Sequence, residues 1–332
     1  MTSSGLPSAR PGGSLPVLLV ASTGGHLEEM MRLRERLGLT PADCEWVTFD
    51  DDQSRTLLEG ERVHHVEHVP PRGYLAAARV TKDALALVRR GRYAQVLSTG
   101  AGVAVPFFAA ARVRGLPCHY IESAARAEAP STTGRVLERV PGVRLYTQYP
   151  GGASGRWTYG GSLFDGFERA DDRPQRSPSK VVVTLGTMRT YGFRRAVERL
   201  DALLPRVCGP DVEVLWQTGA TDVTGLGIAG RDRVPAPELR QAVREADLVV
   251  AHAGVGSALV ALDAGRVPVL LPRRASHGEH VDDHQQLIGR HLDERGIALG
   301  REVADLDEHD LVAASAAGVR RAAAPRPFVL QG

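Results

Sequence analysis

Ala251-His252-Ala253-Gly254-Val255-Gly256-Ser257-Ala258-Leu259-Val260-Ala261-Leu262-Asp263-Ala264-Gly265 is the stretch on which the fold turns, and it follows the apolar run Leu248-Val249-Val250. The run reads as a buried strand, and Ala258, Leu259 and Leu262 read as one face of a helix. A strand, a glycine turn and a helix start make a ready phosphate cradle. The first amides of a helix have no partner inside it and carry the positive end of its dipole, and glycines let an anion come close. Taken alone, the loop serves equally well as a tight turn in any parallel sheet.

The same pattern opens the chain. A short apolar run at 16–21 leads through Ser22-Thr23-Gly24-Gly25-His26 into an amphipathic segment at 27–37. Further apolar runs fall at 46–49, 63–66, 94–97, 118–121 and 143–147, with helical patterns clearest at 74–90 and 103–114. The stretch 166–179 is polar and carries two prolines, the composition of a linker. The pattern then restarts: a β-branched run at 180–185, a second glycine loop Gly186-Thr187-Met188, a helix over 191–207, and strands at 212–217, 248–251 and 267–271. Strands alternating with helices of these lengths predict an α/β chain of two doubly wound, Rossmann-like domains facing a cleft. The expected boundaries are a disordered tail 1–15, a domain 16–165, the linker, a domain 180–324 and a tail 325–332.

Composition narrows the function classes. The apolar share of 43% and the charged share of 24% are those of an ordinary globular protein. With 41 basic and 39 acidic residues the formal charge is +2, which argues against nucleic acid as a partner. Three widely spaced cysteines, Cys44, Cys118 and Cys208, suit a reducing compartment and form neither a disulfide framework nor a thiolate metal site. The longest apolar run, 103–111, is about half the ~20 residues that a membrane span needs. The first fifteen residues lack the apolar core of a signal peptide. Any membrane association is therefore expected to be peripheral.

Ligands bind such sheets at the carboxyl ends of the strands, where every distinctive loop of this chain falls. In the first half these are Thr23-Gly24-Gly25-His26, Ser98-Thr99-Gly100-Ala101-Gly102 and Glu122-Ser123-Ala124-Ala125-Arg126. In the second they are Thr184-Leu185-Gly186-Thr187, His252 to Ser257, and the polar stretch from His277 to Gln286. Neither half has Gly-x-Gly-x-x-Gly after its first strand, and no Gly-x-x-x-x-Gly-Lys-Ser/Thr occurs, so nicotinamide dehydrogenases and P-loop phosphotransferases lose support.

These loops also carry a family resemblance. Ala21-Ser22-Thr23-Gly24-Gly25-His26-Leu27, Ser98 to Gly102, Tyr120-Ile121-Glu122-Ser123 with Ala125-Arg126, and Ser131-x-Thr133-Gly134-Arg135 resemble the acceptor-side, membrane-recruiting subunit of the dolichol-linked N-acetylglucosaminyltransferase and its bacterial exopolysaccharide relatives. Val183-Thr184-Leu185-Gly186-Thr187, the loop and helix from His252 to Gly265, and Gly278-Glu279-His280-Val281-Asp282-Asp283-His284-Gln285 resemble the catalytic subunit of that enzyme. More distantly they are similar to the donor domain of the peptidoglycan N-acetylglucosaminyltransferase. The resemblance implies a GT-B glycosyltransferase with both parts fused in one chain, needing no metal and no cofactor. It further implies a UDP-sugar as donor, a polyprenyl-phosphate-linked sugar or a glycan as acceptor, and work in the cytoplasm at the inner face of a membrane.

Roles follow from combining the two. Gly186, Thr187, His252, Gly254, Gly256 and Ser257 are expected at the donor diphosphate, and Glu279, Asp283, Gln285 and Gln286 at its sugar. Thr23, Gly24, Gly25, Gly100, Gly102 and Arg126 fall on the acceptor side. An inverting transfer needs a base for the acceptor hydroxyl, and His26 ranks before Glu122. The competing structural readings are a histidine that positions its loop and a glutamate paired with Arg126 four residues on. For His252 the competing reading is a packed ring that satisfies a loop carbonyl. His280 and His284, at the spacing of one helical turn, with His277, Glu279, Asp282 and Asp283 nearby, invite a metal. Sugar-hydroxyl binding is preferred over it.

One position departs from the pattern. The resembled families place a ribose-binding glutamate six residues after the first loop glycine, where this chain has Val260. A valine accepts no hydrogen bond, so Asp263 substitutes, or the donor differs, or Asp263 is an ordinary exposed helix residue. The rival readings are a soluble tailoring transferase using a dTDP- or UDP-sugar on a small molecule, and a nucleotide-sugar-binding protein without turnover.

Overall fold

The computed structural model describes residues 15–69, 74–174 and 176–331. The expected tail at 1–14 lies outside them. The chain divides into two compact units, one ending at Leu163 and taking in the chain again from Pro327, the other running from Phe164 to Arg326.

The first unit is built from β1 (Val17–Ala21), α1 (Gly25–Arg36), β2 (Cys44–Phe49), α2 (Asp52–Leu57), β3 (Val63–Val66), α3 (Tyr74–Leu87), β4 (Gln95–Gly100), α4 (Ala104–Val113), β5 (Cys118–Ile121), α5 (Thr132–Glu138), β6 (Val143–Thr147) and β7 (Trp157–Tyr159). Its sheet has the order β3-β2-β1-β4-β5-β6-β7, with every pairing parallel. Strand alternation explains why both faces are apolar. Leu18 and Val20 of β1 point into a core with Phe107, Phe108 and Val80, while Leu19 and Ala21 face Leu27, Met30 and Trp46.

The second unit contains β8 (Phe167–Ala170), β9 (Lys180–Thr184), α6 (Arg194–Val207), β10 (Glu213–Gln217), β11 (Gly230–Arg231), α7 (Ala236–Glu245), β12 (Leu248–His252), α8 (Val255–Asp263), β13 (Val269–Leu271), α9 (His284–Glu294), β14 (Leu299–Gly300), α10 (Glu308–Ala316) and β15 (Gly318–Arg321). Its parallel sheet runs β11-β10-β9-β12-β13-β14. Val181 and Val183 of β9 enter the larger core with Phe193 and Leu200, and Val182 enters a smaller one against α7 and α8. In each unit the strand order reverses beside the first strand, between β1 and β4 and between β9 and β12. A doubly wound sheet leaves its crevice at that place, because the connections on either side leave toward opposite faces.

Two expected boundaries change. The stretch expected as a linker contains β8, which pairs antiparallel with β15. The C-terminal residues expected as a tail dock on the first unit: Phe328 is buried, and Val329 N–H donates to Gly160 O at 2.7 Å. A Cβ on Gly160 would stand 2.8 Å from the Phe328 ring, so the glycine is what admits it. Composition missed both segments because long-range pairing, not local pattern, orders them. Among the described residues no helix is long and apolar enough to cross a membrane.

Candidate functional site

At the reversal point of the first sheet, Gly24 caps α1 with φ 87° and ψ −147°, a conformation that only glycine adopts freely. Its N–H donates to Gln53 Oε1 at 2.6 Å, and Thr23 bonds the Asp51 side chain, so the loop after β1 is tied to the loop after β2. His26 therefore lies in the first turn of α1, with Gly25 before it. Its Nδ1 lies 3.0 Å from the Thr99 carbonyl, which can only accept, so Nδ1 carries the proton and Nε2 the lone pair. Gly100, at φ 125°, leaves room for the ring: a Cβ there would stand 3.1 Å from His26 Cε1. The next residue, Ala101, holds φ 65°, a strained value for a residue with a side chain. Burial, with Arg126 adding to it, lowers the His26 pKa against the pull of the Thr99 bond. A Cβ on Gly102 would meet Val69 Cγ1 at 3.3 Å, so this end of the loop is also closely packed.

Glu122, at the end of β5, is 3% exposed and receives donors on both oxygens. Tyr120 Oη (3.1 Å) and Ser123 N (3.3 Å) reach Oε1; Ser131 N (2.9 Å) and Ser131 Oγ (3.1 Å) reach Oε2. Burial raises its pKa, and the Ser131 bonds oppose the rise. These bonds make Glu122 the anchor of the loop that leads into α5, a different structural role from the expected pairing with Arg126. Sequence reading missed Glu29, one turn after His26 and 3% exposed. It accepts from Ser123 Oγ at 2.8 Å and Ala124 N at 3.1 Å, and burial raises its pKa to about 7. Its only signal in the sequence was a carboxylate on the apolar face of α1.

In the second unit the reversal point joins Gly186, after β9, to the loop after β12. The His252 ring is packed between two glycines: a Cβ on Gly186 would stand 2.9 Å from Cε1, and one on Gly254 2.4 Å from Nε2. The ring bonds the Thr184 carbonyl, and its Nδ1 lies 3.3 Å from Ser257 Oγ. Desolvation, then the charge of Arg273, lowers its pKa to about 4, so His252 is neutral at physiological pH. The carbonyl bond is the one foreseen in the packed-ring reading.

The expected cradle is corrected in one respect. The Gly254 N–H turns back to His252 O at 2.7 Å, so this amide is not available to a ligand. The N–H groups of Val255, Gly256 and Ser257 form the first turn of α8, whose cap offers no side-chain bond. Nearby lies Arg273, 1% exposed and absent from the sequence reading. Its guanidinium donates to Leu185 O (2.7 Å), Tyr191 O (2.8 Å) and Glu279 O (3.3 Å), and its Nε has no partner among the described residues. A buried cation held by carbonyls beneath this loop raises the local positive potential.

The polar stretch before α9 divides its residues between structure and exposure. Glu279 is buried in a fork with Arg195 (3.2 and 3.1 Å) and accepts from Arg274 N at 3.0 Å. Gln285 is buried, with Oε1 accepting from Arg273 N at 3.1 Å. Asp283 is exposed and accepts from Ala275 N at 3.0 Å, while Gln286 is half-buried and Thr187 exposed. Glu279 thus orders the loop, and Asp283, Gln286 and Thr187 remain accessible. The helical spacing that suggested a metal does not hold, because His284 begins α9 and His280 precedes it. Val260 packs toward the small core beside α7, and Asp263 pairs with Arg321 at 2.6 Å. Asp263 is therefore an ordinary exposed helix residue, as one of the readings had it.

Comparison with known proteins agrees with this geometry. Residues 180–323 match the C-terminal domain of glycosyltransferase family 28. Over 293 residues the chain is 31% identical to the UDP-N-acetylglucosamine--N-acetylmuramyl-(pentapeptide) pyrophosphoryl-undecaprenol N-acetylglucosamine transferase of Halorhodospira halophila, spanning 84% of this chain and 76% of that one. The enzyme of the same name from Methylococcus capsulatus is 26% identical over 322 residues, covering 89% and 86%. The crystal structure of Acinetobacter baumannii MurG is similar with a TM-score of 0.56 and 20% identity, over 90% of this chain and 89% of that one. Two Rossmann-like sheets, each with a glycine loop at its reversal point, give the GT-B fold, and the sequence matches make the chain a glycosyltransferase of that class. The chain belongs to glycosyltransferase family 28.

Proposed function

We propose that the protein is an inverting transferase that moves a hexose, N-acetylglucosamine foremost, from a UDP-sugar to a polyprenyl-phosphate-linked or polysaccharide acceptor. The enzymes it resembles in sequence carry UDP-N-acetylglucosamine and pyrophosphoryl-undecaprenol in their names. The proposed place of work is the cytoplasmic face of a membrane, with peripheral contact only, and the subtype is that of the exopolysaccharide and dolichol-linked enzymes. The observation that carries the donor half is the start of α8, where three amides without helical partners lie near the Arg273 cation. These groups would hold the departing diphosphate without a metal, since fixed donors in a partly dry site stabilise developing charge at no reorganisation cost.

His26 is the proposed base. Its Nε2 lone pair would take the acceptor hydroxyl proton as the oxygen attacks the anomeric carbon. The bond from that carbon to the diphosphate oxygen breaks, and UDP leaves with the electron pair. Glu122 suits the role less, because its oxygens already accept four bonds. Asp283, Gln286 and Thr187 are the accessible groups for the sugar; Thr23, Gly25 and Arg126 are proposed for the acceptor.

Val260 keeps a dTDP-sugar in view as the second donor class. Calorimetric titration with UDP, dTDP and their N-acetylglucosamine and glucose conjugates, followed by transfer assays on polyprenyl-linked sugars, tests the proposal. Tighter binding of UDP than of dTDP, with transfer to the lipid-linked acceptor, is expected. Preference for dTDP, or donor binding without transfer to any lipid-linked sugar, would overturn it.

A further inference from the structure

We propose that His280, Asp282 and His284 form a binding site for a divalent transition metal of the zinc type. His280 Nδ1, Asp282 Oδ1 and His284 Nδ1 all lie within 4.8 Å of one another. The His280 and Asp282 atoms are 3.1 Å apart, and the His284 Nδ1 approaches the same Asp282 oxygen. Three ligands at ~2.1 Å around a tetrahedral ion stand ~3.4 Å from each other, so small side-chain rotations turn this cluster into a coordination shell. Two imidazoles and one carboxylate suit zinc, cobalt or nickel, whereas calcium and magnesium prefer oxygen alone.

The side chains of His280 and His284 are 7% and 19% exposed, so neither ring has far to go from water to metal. The rings stand edge to face with centroids 4.8 Å apart, and Tyr191 lies against His280 at 6.3 Å, which limits how far they can turn away. An imidazole ligates through Nδ1 when its proton sits on Nε2. Three protein ligands leave a fourth position open.

Position gives the site a consequence. His280 and Asp282 lie in the loop before α9, and His284 is the first residue of that helix. A bound ion fastens the loop that carries Glu279 and Asp283 to the helix that carries Gln285 and Gln286. A second group, Asp307, His309 and Asp310, differs in kind. There Asp307 and Asp310 form the capping box of α10 and Asp310 pairs with Arg301 at 2.7 Å, which already explains their proximity.

The test uses full-length protein, stripped with a chelator and carrying Cys208→Ser to remove the one thiol that is not buried. It is titrated with zinc against a chromophoric chelator. One zinc per chain is expected, with a rise in melting temperature. Asp282→Asn and His284→Ala are each expected to lose about 100-fold or more in affinity, beyond what losing an outer partner costs. His277→Ala and His309→Ala retain it. Cobalt added to the unsubstituted chain is expected to give the visible absorption of a four-coordinate nitrogen and oxygen site, which needs no variant to fold. No zinc bound in competition, or equal binding after Asp282→Asn and His284→Ala, overturns the proposal. Neither measurement involves a sugar donor, so the outcome is independent of the transferase reading.

Discussion

Gly254→Ala isolates the contact that shapes the proposed donor loop. Gly254 has φ −93° and ψ 143°, values open to alanine, so the backbone itself is not strained by the change. The added Cβ would stand 2.4 Å from His252 Nε2, 3.0 Å from Cδ2 and 3.1 Å from Cε1. Ordinary contact begins near 3.4 Å, so the ring must retreat by about 1 Å. It cannot do so freely, because Gly186 backs its other side and Thr184 and Ser257 hold its nitrogens. Overpacking of this degree costs about 1–3 kcal/mol, and one weakened hydrogen bond adds about 1 kcal/mol. The expected loss is therefore about 2–4 kcal/mol, with weaker nucleotide binding. Denaturant unfolding of the single variants and of Gly254→Ala with His252→Ala measures the coupling. With the ring gone, the alanine at 254 should cost about 1 kcal/mol or less, the difference between glycine and alanine as a helix cap. If Gly254→Ala costs the same with and without His252, the ring is not what the glycine accommodates, and the account of this loop fails.

His26→Asn is expected to lower kcat by about 100-fold or more while leaving UDP affinity unchanged, the range for a lost general base. Because its folded pKa is lowered, the base of the native enzyme should stay active to a pH below that of free histidine and fail only under it. A pH-rate profile falling at or above the free value would contradict that. Glu29 titrates in the opposite sense. Its folded pKa of about 7 lies above the unfolded 4.5, so the native state holds the extra proton and stability falls as pH rises from 4.5 through 7. Glu29→Gln should flatten this slope and gain up to about 3 kcal/mol above pH 8, read by urea unfolding across pH. Glu279→Ala leaves Arg195 and the Arg274 amide without their acceptor and should cost about 1–3 kcal/mol. An unchanged urea midpoint would show that the fork with Arg195 contributes nothing.

The short edge strands β7, β11 and β14 carry too little apolar pattern to be read. The alternation of short apolar runs with helical stretches gave β1 to β6 of the first sheet and β9, β10, β12 and β13 of the second, and glycine loops followed the first strand of each. That works because a strand buried on both faces must be apolar throughout, and a turn needing an unusual φ or a close approach selects glycine. Gly24, Gly100 and Gly186 were legible for this reason; each has positive φ. The partners of the polar side chains were not legible. Whether Glu122 and Glu279 face a ligand or bind their own loops depends on Ser131 and Arg195, which lie 9 and 84 residues away. Arg273 gave no signal and Glu29 only its place on the apolar face of α1, since a buried charge looks like a surface charge until its carbonyls or amides are in place. Sequence determined where the loops lie. Only the tertiary structure decided which of their groups are already bonded and which are left for a substrate, because that depends on contacts that local pattern does not encode.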